Sequence, residues 1–99
     1  MAALRIKWTR RAIADIDRIY EVVAANDPQA ARAVVDRIDR AINGLILHPR
    51  IGRSGRVTGS RELVIAGTPY IVAYRVRGRT VELLGVVHTS RRWPDRFKT

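Results

Sequence analysis

The sequence predicts an α+β fold in which a helical hairpin packs on a small, mainly antiparallel sheet. Three observations predict it. Two long segments repeat apolar residues at helical spacing and meet at Asp27-Pro28, one segment before them alternates with period two, and three more such segments follow, the last two joined by Arg77-Gly78-Arg79. Helices that follow one another through a short loop form an αα-hairpin, and a sheet with one apolar face needs such a layer to cover it. The expected order is strand, helix, helix, strand, strand, strand, in one domain spanning residues 1–99.

At the N-terminus Leu4, Ile6 and Trp8 alternate with Arg5 and Lys7, which reads as a short strand. Thr9 is placed to cap the first helix, and Trp8 and Ile13 stand at the spacing of a hydrophobic staple. Ile13, Ile16, Ile19, Tyr20 and Val23 give that helix an apolar stripe over about 10–25. Asp27 can cap the second helix and Pro28 suits its first turn, where the missing N–H costs nothing. Its stripe of Ala31, Val34, Val35, Ile38, Ala41, Ile42, Leu45 and Ile46 predicts a helix that Pro49 ends. Residues 50–60, rich in glycine and arginine, read as a connection. Strands are expected over Glu62–Ile65, Tyr70–Val76 and Thr80–Val87, the last two as a hairpin, followed by a basic tail carrying Trp93-Pro94.

Composition narrows the function. No apolar run approaches the roughly 20 residues that span a bilayer, and the N-terminus lacks the apolar core of a signal peptide. The absence of cysteine removes disulfide, thiol and zinc–thiolate chemistry and agrees with a reducing cytoplasm. His48 and His88 have no carboxylate cluster beside them, so no metal or other cofactor is expected. The formal charge is +10, and it is uneven: residues 1–49 hold eight Lys/Arg against six Asp/Glu, residues 50–99 eleven against three. All but Lys7 and Lys98 are arginines, which pair bidentately with phosphate and carboxylate. Codon usage in a high-GC genome would explain the arginine preference equally well, but not the asymmetry. An acidic or nucleic-acid partner is therefore expected at the second half.

The residues that carry chemical interest lie there too: Arg53, Arg56, Arg61, Tyr70, Tyr74, Arg75, His88, Arg91, Arg92 and Trp93. Arginines hold phosphates, aromatic rings stack on bases, and an imidazole moves a proton near neutral pH. Metal-free RNA cleavage needs such a set, because a base must activate the 2′-hydroxyl, cations must stabilise the phosphorane and an acid must protonate the leaving oxygen. Each residue also has a plainer reading. Tyr70 and Tyr74 share a strand face with Val72 and Val76 and suit core packing, His88 suits a structural hydrogen bond, and Trp93-Pro94 suits a clasp on the sheet.

Taken together and in order, Trp8-Thr9, Asp27-Pro28, His48-Pro49, Gly52-Arg53 with Gly55-Arg56, Ser60-Arg61-Glu62-Leu63, Pro69-Tyr70 with Tyr74-Arg75, and Val86-Val87-His88 closing with Trp93-Pro94 resemble the RelE/ParE toxin superfamily over nearly the whole chain. The resemblance implies the toxin of a type II toxin–antitoxin module, neutralised by an acidic ParD- or RelB-like antitoxin. It implies one of two activities. A ParE-like toxin inhibits DNA gyrase without chemistry of its own, through target-binding residues for which Arg53, Arg56, Tyr74, Arg75, Arg91, Arg92 and Trp93 are the candidates. A RelE-like toxin cleaves ribosome-bound mRNA, with His88 and Arg61 as the catalytic candidates. Tyr70 stands where such nucleases carry an arginine, Thr89 follows His88 where some carry a tyrosine, and the lysine cluster of RelE is missing. The Gly-Arg connection favours the ParE-like branch.

Overall fold

The computed structural model describes residues 4–90, 93, 94 and 97. The chain runs β1 (Arg5–Trp8), α1 (Arg10–Ala24), α2 (Pro28–Gly44), β2 (Arg53–Ser54), β3 (Arg61–Val64), β4 (Tyr70–Arg77) and β5 (Thr80–His88). The five strands form one mixed sheet in the order β1-β5-β4-β3-β2. β1 lies parallel to β5 and the other pairs are antiparallel. The two helices cover one face.

Local chemistry sets the helix starts as the sequence implies. Thr9 Oγ1 accepts from the Ala12 N–H (3.2 Å) and donates to the Leu83 carbonyl (2.7 Å), so one hydroxyl both caps α1 and ties it to β5. Asp27 Oδ1 accepts from the Gln29 and Ala30 amides, with Pro28 opening α2. The expected staple contributes little, since Ile13 stays 49% exposed while Trp8 packs at the rim of the core.

α2 ends at Gly44, short of Pro49. The Asn43-Gly44 pair has low helix propensity, and the chain tightens into successive short turns there: Leu45, Ile46 and Leu47 donate to the carbonyls of Ile42, Asn43 and Gly44. Leu45 still reaches the core, but Ile46 turns outward. Residues 53–54, expected inside a plain connection, add β2 at the sheet edge.

The helix-side core joins Ile19, Ile38, Ile42 and Leu45 to Val72, Tyr74, Val81, Leu83 and Val86. A bulge opposite Ala73/Tyr74 lets β5 present Val81, Leu83 and Val86 to the helices while Leu84 and Val87 face the other way. β1 accompanies β5 only as far as Leu83, so among the described residues the outer edge of β5 runs on without a strand neighbour. Asp15 of α1 fills that gap, its Oδ2 accepting from the Val86 N–H (2.9 Å).

Candidate functional site

Away from the helices the sheet carries charge. Register places Glu62 between Arg53 and Ala73, and Glu82 between Lys7 and Arg75. These are the only two acidic residues in the segment 50–90, and both are buried. Glu62 Oε1 accepts from Arg53 Nε and Nη2 (3.3 and 3.1 Å), and its Oε2 accepts from the Arg56 amide (2.8 Å) with the Arg56 guanidinium 3.6 Å away. Glu82 bonds the Arg75 guanidinium and lies 3.6 Å from Lys7 Nζ. Burial pushes the Glu82 carboxyl up, but the Arg75 hydrogen bond and the Arg75 and Lys7 charges outweigh it and hold it below its ordinary value. Each buried glutamate thus fixes two cations on one surface. Arg5 and Arg77, paired with Thr80 on either side, extend that surface.

A small apolar cluster interrupts the charge. Ala73, Leu84 and Val87 are covered by Phe97, with Val57 and Trp93 at the edge. The Arg56 guanidinium stacks on Trp93, 4.1 Å from the ring centre. Trp93 thus packs on the sheet, as a clasp would, and its ring face is occupied by the Arg56 guanidinium.

Of the expected target-binding residues, Arg53, Arg56, Arg75 and Trp93 gather on this face, and Arg91 and Arg92 lie outside the described residues. Tyr74 does not join them. It is fully buried on the helix side, because the strand period puts it with Tyr70 and Val72, and its hydroxyl accepts from the Gly52 N–H (2.9 Å). Sequence reasoning missed Glu62 and Glu82 as organisers. The available signal was that two lone acids sit inside strands of an otherwise cationic segment.

The catalytic pair expected of a nuclease does not converge. Arg61 pairs with Tyr74 and His88 with Tyr70, at opposite flanks of β4. Four residues along β4 and one strand to either side put their backbones about 16 Å apart. Arg61 Nη1 donates to the Gly52 and Arg50 carbonyls (2.8 and 3.2 Å), so that guanidinium clips a loop. His88 lies edge-on to Tyr70, with ring centres 5.4 Å apart, in a groove of about 230 Å³ between α1 and the end of β5 that Arg11, Asp15 and Arg18 also line. The Ser90 amide donates to its Nδ1 (3.1 Å), which leaves the proton of the neutral ring on Nε2. Among the described residues no cluster of three His, Cys, Asp or Glu side chains is arranged to hold a metal ion.

The family model for the ParE toxin of the parDE type II toxin–antitoxin system matches residues 6–93. The chain belongs to the ParE toxin family. This toxin is 45% identical over 95 residues to the putative toxin Y4kP of Sinorhizobium fredii, covering 96% of the chain and 98% of the relative. It is 32% identical over 87 residues to toxin RelE2 of Caulobacter vibrioides, covering 88% and 97%. Its fold matches a chain in the solved structure of the chromosomal ParDE TA system from P. aeruginosa, with a TM-score of 0.79, 29% identity, and 87% and 96% of the two chains covered. The protein is thus the toxin component of a type II toxin–antitoxin module, and a cognate antitoxin is its partner. Among the described residues no helix is long and apolar enough to cross a membrane.

Proposed function

We propose that this toxin inhibits DNA gyrase in the cytoplasm by binding, without bond-making chemistry, and that an acidic antitoxin relieves the inhibition by covering part of its basic surface. The observation that carries the reading is the separation of His88 from Arg61, together with the commitment of Arg61 to the Arg50 and Gly52 carbonyls. Metal-free RNA cleavage needs an acid, a base and a phosphate-holding cation around one phosphorus atom, and this pair offers no such point. The ParE family match supports the same branch. The cation-bearing sheet face, with Arg53, Arg56 and Arg75 held by buried carboxylates, suits recognition of an acidic protein segment.

Purified toxin added to gyrase, ATP and relaxed plasmid should leave the plasmid relaxed, and prior addition of antitoxin should restore supercoiling. Unimpaired supercoiling, with codon-specific cuts in ribosome-bound mRNA, would establish the RelE-like alternative instead.

A further inference from the structure

We propose that the loop between α2 and β2 is a preformed docking knob for the toxin's protein target, with Leu47 and Ile51 as its anchors. The inference rests on the reading above in one respect only, that the target is a protein which the toxin binds.

Leu47 and Ile51, at 78% and 64% exposure, are the two most exposed large apolar side chains among the described residues, and Ile46 at 37% stands beside them. A single exposed leucine needs no explanation, but three aliphatic side chains within six residues make a patch. The patch stands on a loop held firmly from beneath. Leu45 anchors its start in the core, and the amides of Leu45, Ile46, Leu47, His48 and Ile51 all donate to carbonyls within the segment 42–48. At its far end the Gly52 N–H donates to the buried Tyr74 hydroxyl, and Arg61 clips the Arg50 and Gly52 carbonyls. A Cβ at position 52 would lie 2.6 Å from Tyr74 Oη and 3.0 Å from the Glu62 carbonyl, so only glycine lets the backbone seat there. Arg61, a catalytic candidate of the nuclease reading, and Tyr74, a target-binding candidate, therefore serve as positioning residues for this loop. Fixing a loop in advance removes the ordering cost that binding would otherwise meet.

Exposure and charge select the occupant. Exposed aliphatic side chains on a preformed loop suit an apolar site on a folded protein. No acidic residue lies between Asp39 and Glu62, and Arg50 stands between the two anchors. The complementary site is therefore an apolar pocket with an acidic rim. A nucleic acid would gain little from leucine and isoleucine, which offer no stacking surface. A second copy of this chain would bring Arg50 and Arg53 of both copies together.

The test compares wild type with the double variant Leu47→Ser/Ile51→Ser in growth arrest on induction, antitoxin affinity, sedimentation and gyrase supercoiling. Both positions are exposed, so the variant should keep its circular dichroism spectrum and thermal midpoint. The expected result is loss of growth arrest, target binding weakened on the order of tenfold or more, and antitoxin affinity within about twofold of wild type. Full growth arrest by the variant would overturn the proposal. So would lost antitoxin binding with arrest intact, which would give the knob to the antitoxin, or a wild-type dimer that the variant abolishes. Tyr74→Phe provides a second arm with the knob's own side chains unchanged: amide exchange at Gly52 should rise and growth arrest should fall, whereas unchanged arrest with faster exchange would remove the positioning role. If wild type leaves gyrase unimpaired and the double variant still loses growth arrest, the gyrase reading fails and the knob stands. If wild type and variant inhibit gyrase equally, the knob fails and the gyrase reading stands.

Discussion

The two faces of this sheet are built on different chemistry. Towards the helices, Val72, Tyr74, Val81 and Leu83 are sealed in a continuous apolar core whose polar groups are few and bonded. Away from them, the same strands carry Glu62 and Glu82 with their cations, interrupted by a patch that Phe97 and Trp93 cover. The difference teaches where stability and recognition reside. The helix side holds the fold through volume, which tolerates no charge. The open side holds arginines in fixed positions through buried carboxylates, which keeps cations on the surface while adding a modest stabilisation.

Substitutions can break that comparison. The largest effect is expected from Ile38→Ala, which empties a fully buried site between α2 and the sheet and should destabilise by about 2–5 kcal/mol in a denaturant titration. Glu62→Gln should come next, at about 1–3 kcal/mol, because one carboxylate oxygen accepts the Arg56 amide while the other holds Arg53. A loss from Glu62→Gln as large as that from Ile38→Ala would place the load on the open face and contradict the division.

Glu82 gives the comparison a pH signature. Its carboxyl titrates below the ordinary value of 4.5, so its ion pairs stabilise the fold fully above that pH, and the contribution fades as pH falls through the lowered folded-state value. Thermal midpoints measured against pH should therefore separate wild type from Glu82→Gln at neutral pH and bring them together in acid. A constant gap down to strongly acidic pH would mean that the ion pairs are not its source. The smallest stability effect is expected for the pair Arg5→Ser and Arg77→Ser, within about 0.5 kcal/mol, since both side chains are exposed. Antitoxin association should slow in that variant and lose part of its salt dependence, which stopped-flow mixing at two ionic strengths would show.

Much of the fold was legible because periodicity is a direct image of burial. The stripe from Ala31 to Ile42 and the alternation Tyr70, Val72, Tyr74 each describe one buried face. The failures have physical causes. Leu45 and Ile46 prolong the α2 stripe past the true end of the helix, which the weak helix formers Asn43-Gly44 set at Gly44. A two-residue strand such as β2 has no period to detect. The role of Asp15 depends on where β1 stops along β5, which is a matter of register. The site was legible as charge and not as geometry. Arginine counts located the cationic half, but nothing local to Arg61 tells that its guanidinium turns to the Gly52 carbonyl, or that the Tyr74 hydroxyl meets the Gly52 amide 22 residues away.

A toxin that binds rather than cuts is tested most directly at His88, the only imidazole among the described residues that line the α1–β5 groove. Growth arrest on induction should be as complete with His88→Gln as with wild type at equal protein levels. Loss of arrest in a variant that remains folded and still binds the antitoxin would contradict the account and point to histidine-dependent cleavage.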